Sequence, residues 1–214
     1  MRKLSIAALG AFLAVTASAD VLQAQAGRYP AFQPTRVAER EYNFALADFS
    51  GGTALIMQWR EGIDASRMQF TGDFGIADGN NTTALLLGGS IHYQLTQTTQ
   101  DFPFEMVLGG GIGVTAADDF RTFRIPFGVA IGHRFALERE FAITPFVHPR
   151  LSLDRTKVDL PGGGSASDSD TNIDIDIGGS FEINTQMQVR LAATLGDRSA
   201  VGLSFAWLPR GLRR

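Results

Sequence analysis

In the stretch FEMVLGGGIGVTA, Phe104 to Ala116, every second residue is apolar or tiny: Phe104, Met106, Leu108, Gly110, Ile112, Val114 and Ala116. Between them stand Glu105, Val107, Gly109, Gly111, Gly113 and Thr115, a small and mildly polar set. After a break at Ala117-Asp118-Asp119 the alternation resumes with Phe123, Ile125, Phe127, Val129, Ile131, His133 and Phe135. Its other face is Thr122, Arg124, Pro126, Gly128, Ala130, Gly132 and Arg134. Successive strand side chains point to opposite faces, so each run reads as a long β-strand with one greasy face and one small face. That pattern predicts a hairpin of a transmembrane barrel, lipid outside and polar lumen inside.

The same period recurs along the chain. Tyr42, Phe44 and Leu46 share a face over 41–49, and Leu55, Met57 and Trp59 over 53–60. Met68 to Ile76 and Leu85 to Tyr93 follow, separated by the turn signal Asp78-Gly79-Asn80-Asn81. Past a tight 137–140 turn, Phe141, Ile143, Pro145, Val147, Pro149 and Leu151 face one way, and Thr144, Phe146, His148, Arg150 and Ser152 the other. Ile173 to Ile183, Met187 to Leu195 and Val201 to Trp207 complete the count. The expectation is an all-β, antiparallel, up-and-down barrel of about ten strands over residues 39–208, with eight as the alternative. The longest loop is expected at 154–170, around Pro161-Gly162-Gly163-Gly164. Pro126, Pro145 and Pro149 fall inside strands, where each removes a ladder donor, so bulges or shifted strand limits are expected there.

The large face carries four or five bulky residues per strand, too much volume for the interior of so small a barrel. The Gly, Ala, Ser and Thr of the other face suit a narrow lumen, so the large face is assigned to lipid. Tyr42, Trp59, Tyr93, Phe104, Phe135, Phe141, Phe181 and Trp207 would girdle the periplasmic end; Phe49, Phe74 and Phe120 fall near the opposite rim.

The N-terminus fits export. Arg2 and Lys3 precede an apolar run from Leu4 to Val15, and Ala17-Ser18-Ala19 forms a cleavage site, with Ala24-Gln25-Ala26 as a second candidate. Residues 1–19 (or 1–26) therefore read as a signal peptide, 20–38 as a periplasmic lead-in, and 209–214 as a short basic tail. Losing Arg2 and Lys3 moves the formal charge from -3 to -5, which gives no footing for nucleic acid. The chain has no cysteine, so neither disulfides nor thiol chemistry enter. The roughly 190 residues that remain are one domain's length.

At the C-terminus, Gly202-Leu203-Ser204-Phe205-Ala206-Trp207 resembles the final-strand signal by which bacterial assembly machinery recognises its substrates, carried by Gly202, Phe205 and Trp207. The chain thus resembles the small outer-membrane β-barrel proteins of Gram-negative bacteria, the OmpA/OmpX-like group. The resemblance covers the leader and residues 39–208 and is one of pattern. Ala200 stands where a polar residue is usual, and Leu208 to Arg214 run past the aromatic end. It implies location in the outer membrane, contact with outer-membrane lipid and the assembly machinery, and a monomer without cofactor.

The expected lumen charges are Arg124, Arg134, Arg150, Asp174, Asp176, Glu182 and Arg190, joined by Glu41, Arg60, Arg67, Asp73 and Glu105. Both signs occur in similar numbers, which predicts ion pairs crossing the lumen, with Asp174 and Asp176 facing Arg150 and Arg190. The alternative is a charged constriction that selects a solute. Of the three histidines, His92 and His133 fall near strand ends and His148 in mid-lumen as a hydrogen-bonder. No catalytic Ser–His arrangement and no metal site emerges. Gly109 to Gly113 lacks the Lys-Ser/Thr of a phosphate loop. Asp168, Asp170 and Asn172 open like a calcium loop, but Ile173 and Gly179 break its pattern. The expected role is structural or surface-interacting, presented on the 154–170 loop. A narrow pore is the alternative and a membrane-embedded hydrolase the second alternative.

Overall fold

The computed structural model describes residues 30–49, 51–63, 66–79, 82–99, 102–137, 141–160 and 164–209. The expected leader with both cleavage candidates, the 138–140 turn and the tail beyond Pro209 lie outside the described residues. The strands are β1 (Arg40–Phe49), β2 (Gly52–Gly62), β3 (Met68–Gly79), β4 (Thr82–Thr96), β5 (Glu105–Ala116) and β6 (Phe120–Gly132). There follow β7 (Phe135–Ala136), β8 (Ala142–Asp159), β9 (Ser165–Asn184), β10 (Met187–Gly196) and β11 (Ala200–Trp207). Strands adjacent in sequence pair antiparallel except β6 and β7, which both pair with β8, and β1 pairs with β11. Ten long strands thus close into an up-and-down barrel, and no open edge runs its length.

Side chains face as the alternation predicts. Leu46, Leu55, Ile112 and Ile177 are exposed on the outer surface, while Asn43, Gln58, Thr115 and Asp176 are buried inside. An apolar outer surface of this extent is what a membrane-spanning barrel presents to lipid. Tyr42 stacks on Trp207 at 5.7 Å, Trp59 meets Phe70 edge-on at 6.1 Å, and His133 sits between Phe104 and Phe135. These rings form a belt at the terminal end of the barrel, where β1 starts and β11 stops. Phe49 and Phe120 lie at the opposite rim, as placed by sequence, but they point inward and are buried.

The prolines sit where the ladder is interrupted, with no change of register. Pairing of β5 with β6 lapses between Gly110–Phe127 and Gly113–Arg124, opposite Pro126. That of β6 with β8 lapses between Gly128–Arg150 and Ile131–Val147, at Pro149. Pro145 faces the irregular His133–Arg134 step, after which Phe135 pairs with Ile143 in the same register. Strand β7 is therefore β6 continued past a residue that has no N–H to give.

The expected 154–170 loop is mostly strand. Residues of β8 and β9 stay paired from Ala142–Glu182 to Asp159–Ser165, so the long hairpin runs on beyond the other strands. Only the Pro161-Gly162-Gly163 core lies outside the described residues.

The outward assignment has a direct test. Ile177→Arg, mid-height on the outer surface, is expected to destabilise the barrel in lipid vesicles by about 2–4 kcal/mol, and Val201→Arg near the rim by only about 0–1. Equal costs in a denaturant titration would overturn the lipid-facing surface.

Candidate functional site

Residues 30–38, expected as a periplasmic lead-in, instead thread the lumen. Phe32, Gln33, Thr35, Val37 and Ala38 are all buried. Apart from a single bridge residue at Ala38 the segment pairs with no strand, and lumen side chains meet its backbone groups, as buried amides require. Ala31 N donates to Asp176 Oδ2 at 3.1 Å, and Val37 N donates to Gln94 Oε1 at 2.8 Å. The Phe32 carbonyl accepts from Arg60 Nη2 at 3.0 Å, and the Thr35 carbonyl from Gln94 Nε2 at 2.9 Å. Thr35 Oγ1 bonds Glu105 Oε2 at 3.1 Å, and Arg36 pairs with the same carboxylate at 3.2 Å. Phe32 holds a left-handed φ of 48°, an outlier for a bulky residue. Its ring fits because the barrel wall is bare there: a Cβ at Gly202 would lie 2.6 Å from Phe32 Cζ. A Cβ at Gly132 would lie 2.8 Å from Thr35 Cγ2. Both glycines make room for the segment, and Gly202 has that structural task besides its place in the C-terminal motif.

Below Phe32, Glu41 lies between two arginines. It accepts from Arg190 Nη1 at 2.7 Å and Nη2 at 2.8 Å, and it also pairs with Arg60. All three side chains are fully buried. Gln188 and Gln58 each accept a further guanidinium bond at 2.8 Å, and Gln58 passes the network on to Asn43 and Asp73. Toward the terminal opening, Arg134 grips Glu182 with two bonds of 2.8 and 2.6 Å.

A second network lies toward the hairpin end. Arg124 holds Asp154 through two bonds of 2.6 Å, and Asn172 donates to the same carboxylate at 2.9 Å. Arg150 donates to Asp176 at 2.9 Å, as expected from sequence. The other two expected partners separate: Arg190 belongs to Glu41, and Asp174 pairs with Arg198. Arg198 also reaches Ser152 Oγ at 2.6 Å and Asp154 at 3.4 Å. It stands in the short β10–β11 turn, where strand alternation gives no hint that it points inward. Arg67, expected in the lumen, is exposed just before β3. Beside these charges an apolar cluster that includes Phe49, Phe120, Val158, Leu86 and Phe32 fills the same end.

Two of the three histidines, His92 and His148, are buried where the wall is thinnest. His92 lies over Gly109, and His148 Nε2 would be 2.7 Å from a Cβ at Gly128, the register partner of Gly109. His92 Nε2 is 2.8 Å from Ser90 Oγ, a pairing across alternate residues of β4 that sequence reasoning did not single out. His148 Nδ1 is 3.4 Å from Asp176 Oδ2. The space these groups share with Gln33 is a cavity of about 40 Å³, the size of a water or two. Among the described residues, no group of three His, Cys, Asp or Glu side chains is placed to hold a metal ion.

No family model and no curated protein matches the chain. The solved structures to which it is similar are outer-membrane β-barrels. The KdgM porin shares 7% identity at a TM-score of 0.42, over 78% of this chain and 98% of that one. Neisserial surface protein A shares 13% at 0.36, over 79% and 95%. LpxR from Salmonella typhimurium shares 8% at 0.45, over 80% and 84%. With identities and TM-scores this low the likeness says nothing of this chain's role, and the closed antiparallel barrel stands on its own strand pairing.

Proposed function

We propose that this protein is a monomeric integral outer-membrane barrel, closed to solutes, with a structural or surface-interacting role. Its leader directs export, Gly202, Phe205 and Trp207 serve the assembly machinery, and the terminal end faces the periplasm. The long β8–β9 hairpin is then the element shown to the outside. The observation that carries the closed reading is the inner segment: residues 30–38 lie along the lumen, tied to Asp176, Arg60, Gln94 and Glu105. The apolar cluster around Phe49 and Phe120 supports it from the other end.

Planar-bilayer recording tests this. The refolded wild type is expected to insert and stay electrically silent, as is a variant neutralised at Arg150, Asp174, Asp176 and Arg190. Steady discrete conductance from the wild type, with a selectivity that shifts in the variant, would overturn the closed reading in favour of a narrow pore. One observation favours the hydrolase reading, the Ser90–His92 bond. Lipid or peptide hydrolysis lost in both Ser90→Ala and His92→Ala would establish it over the structural role.

A further inference from the structure

The charges that face outward, toward lipid, are unevenly distributed. Odd-numbered residues of β6, β8 and β9 point out of the barrel, and there the apolar surface of Phe123, Ile125 and Leu153 gives way to cations. Arg155 is opposite Phe123, and Arg121 is opposite Lys157 one step further along. Strands rise about 3.3 Å per residue, so the three cations occupy two rows roughly 7 Å apart, the first shared with Phe123. On β9 the outward neighbours are hydroxyls: Ser169 opposite Arg155, and Ser167 opposite Lys157. All five side chains are exposed. None of the three cations belongs to an ion pair among the described residues. On the same face the acids lie further from the apolar belt, Asp159 at the end of β8 with Asp118 and Asp119 in the β5–β6 turn, while Asp168 and Asp170 alternate with the two serines along β9. On other strands near this rim the outward charges have the opposite sign, Asp48 on β1 and Asp78 on β3.

We propose that Arg121, Arg155 and Lys157, with Ser167 and Ser169, bind the phosphate of a membrane-lipid headgroup at this rim. A guanidinium pair and an ammonium supply charge-assisted donors suited to phosphate oxygens. The hydroxyls add neutral donors, and Phe123, Ile125 and Leu153 lie where the acyl chains of the same lipid would run. Apolar wall and cations in one vertical line select an amphiphile carrying phosphate over a free anion. The proposal rests on the barrel being membrane-spanning.

The full-length protein, refolded into zwitterionic micelles, would be titrated by native mass spectrometry with a bis-phosphorylated, acylated glucosamine disaccharide. Parallel titrations would use its dephosphorylated counterpart and inorganic phosphate. Near an anionic surface each cation contributes a factor of roughly five. Arg121→Gln/Arg155→Gln/Lys157→Gln is therefore expected to weaken binding about a hundredfold, and Arg155→Gln alone about fivefold. Removing the phosphates from the lipid should cost about as much as removing the cations. Asp48→Asn/Asp78→Asn should leave affinity unchanged. Wild-type affinity in the triple variant, equal binding of the dephosphorylated lipid, or displacement of the lipid by an equal concentration of inorganic phosphate would each overturn the proposal. Heat-modifiable migration of the same samples separates the two failures. A wild type that migrates identically boiled and unboiled sinks the membrane-barrel reading, whereas a folded barrel indifferent to the three cations sinks only the lipid site.

Discussion

Glu41→Ala is expected to destabilise the barrel by about 3–5 kcal/mol, the range for removing one partner from a buried ion pair. The reason is what remains behind. Arg60 and Arg190 are both fully buried and share this one carboxylate, so alanine leaves two like charges facing each other out of reach of water. Gln188 and Gln58 would still accept guanidinium bonds but cannot neutralise charge. A Glu41→Gln variant retains the acceptor oxygen and should fall between alanine and wild type. The control is on the same two strands: Arg40 pairs with Glu61 through bonds of 2.7 Å, with side chains about a third exposed. Water solvates whatever that pair loses, so Glu61→Ala should cost less than about 1 kcal/mol. Denaturant titration of the heat-modifiable band in vesicles measures all three. Equal costs for Glu41→Ala and Glu61→Ala would mean that the lumen is wet and the network dispensable.

The barrel was legible because a two-faced strand writes its environment into every second residue. Lipid on one side and a narrow lumen on the other gave ten runs of alternation, and even the prolines could be located as ladder faults. The same logic explains where the reading stopped. Beyond the lipid both faces of β9 meet water, so Ser165 to Asn172 carry no apolar alternation and resemble a loop. Yet they continue a ladder that pairs residue by residue with β8. The ion pairs depended on diagonal geometry and on a turn residue. Arg198 lies outside any alternating run, and its reach to Asp174 redirected the partners assigned to Asp174 and Arg190. The inner segment leaves no period at all, because its hydrogen bonds go to side chains one at a time. Its trace in the sequence is indirect: glycines at 132 and 202 on a lumen face that could have held larger residues.

That segment yields the other large effect. The chain has no cysteine, so a single introduced thiol reports on its own surroundings. In Gln33→Cys and Val37→Cys the new thiol would replace a buried side chain inside the lumen. Gln97→Cys would place one on an exposed turn at the same end of the barrel. Attack requires a thiolate that the reagent can reach, and a lumen thiol becomes reachable only when the segment leaves its site. Leaving exposes the acceptors on Gln94, Glu105 and Asp176 and the apolar pocket of Phe32 together, so the opening is one cooperative step. An opening free energy of about 3 kcal/mol, at 1.4 kcal/mol per decade, slows labelling by roughly a hundredfold. A membrane-impermeant maleimide should therefore modify Gln97→Cys quickly and the two lumen positions about a hundredfold more slowly. Urea sufficient to unfold the barrel should make all three rates converge. Pairing either lumen thiol with Asp176→Ala, which deletes the acceptor for Ala31 N, should recover part of the lost rate while the barrel stays folded. Equal labelling of all three positions in the folded wild type would return residues 30–38 to the aqueous phase. The closed reading would then rest on the ion pairs and the apolar cluster alone.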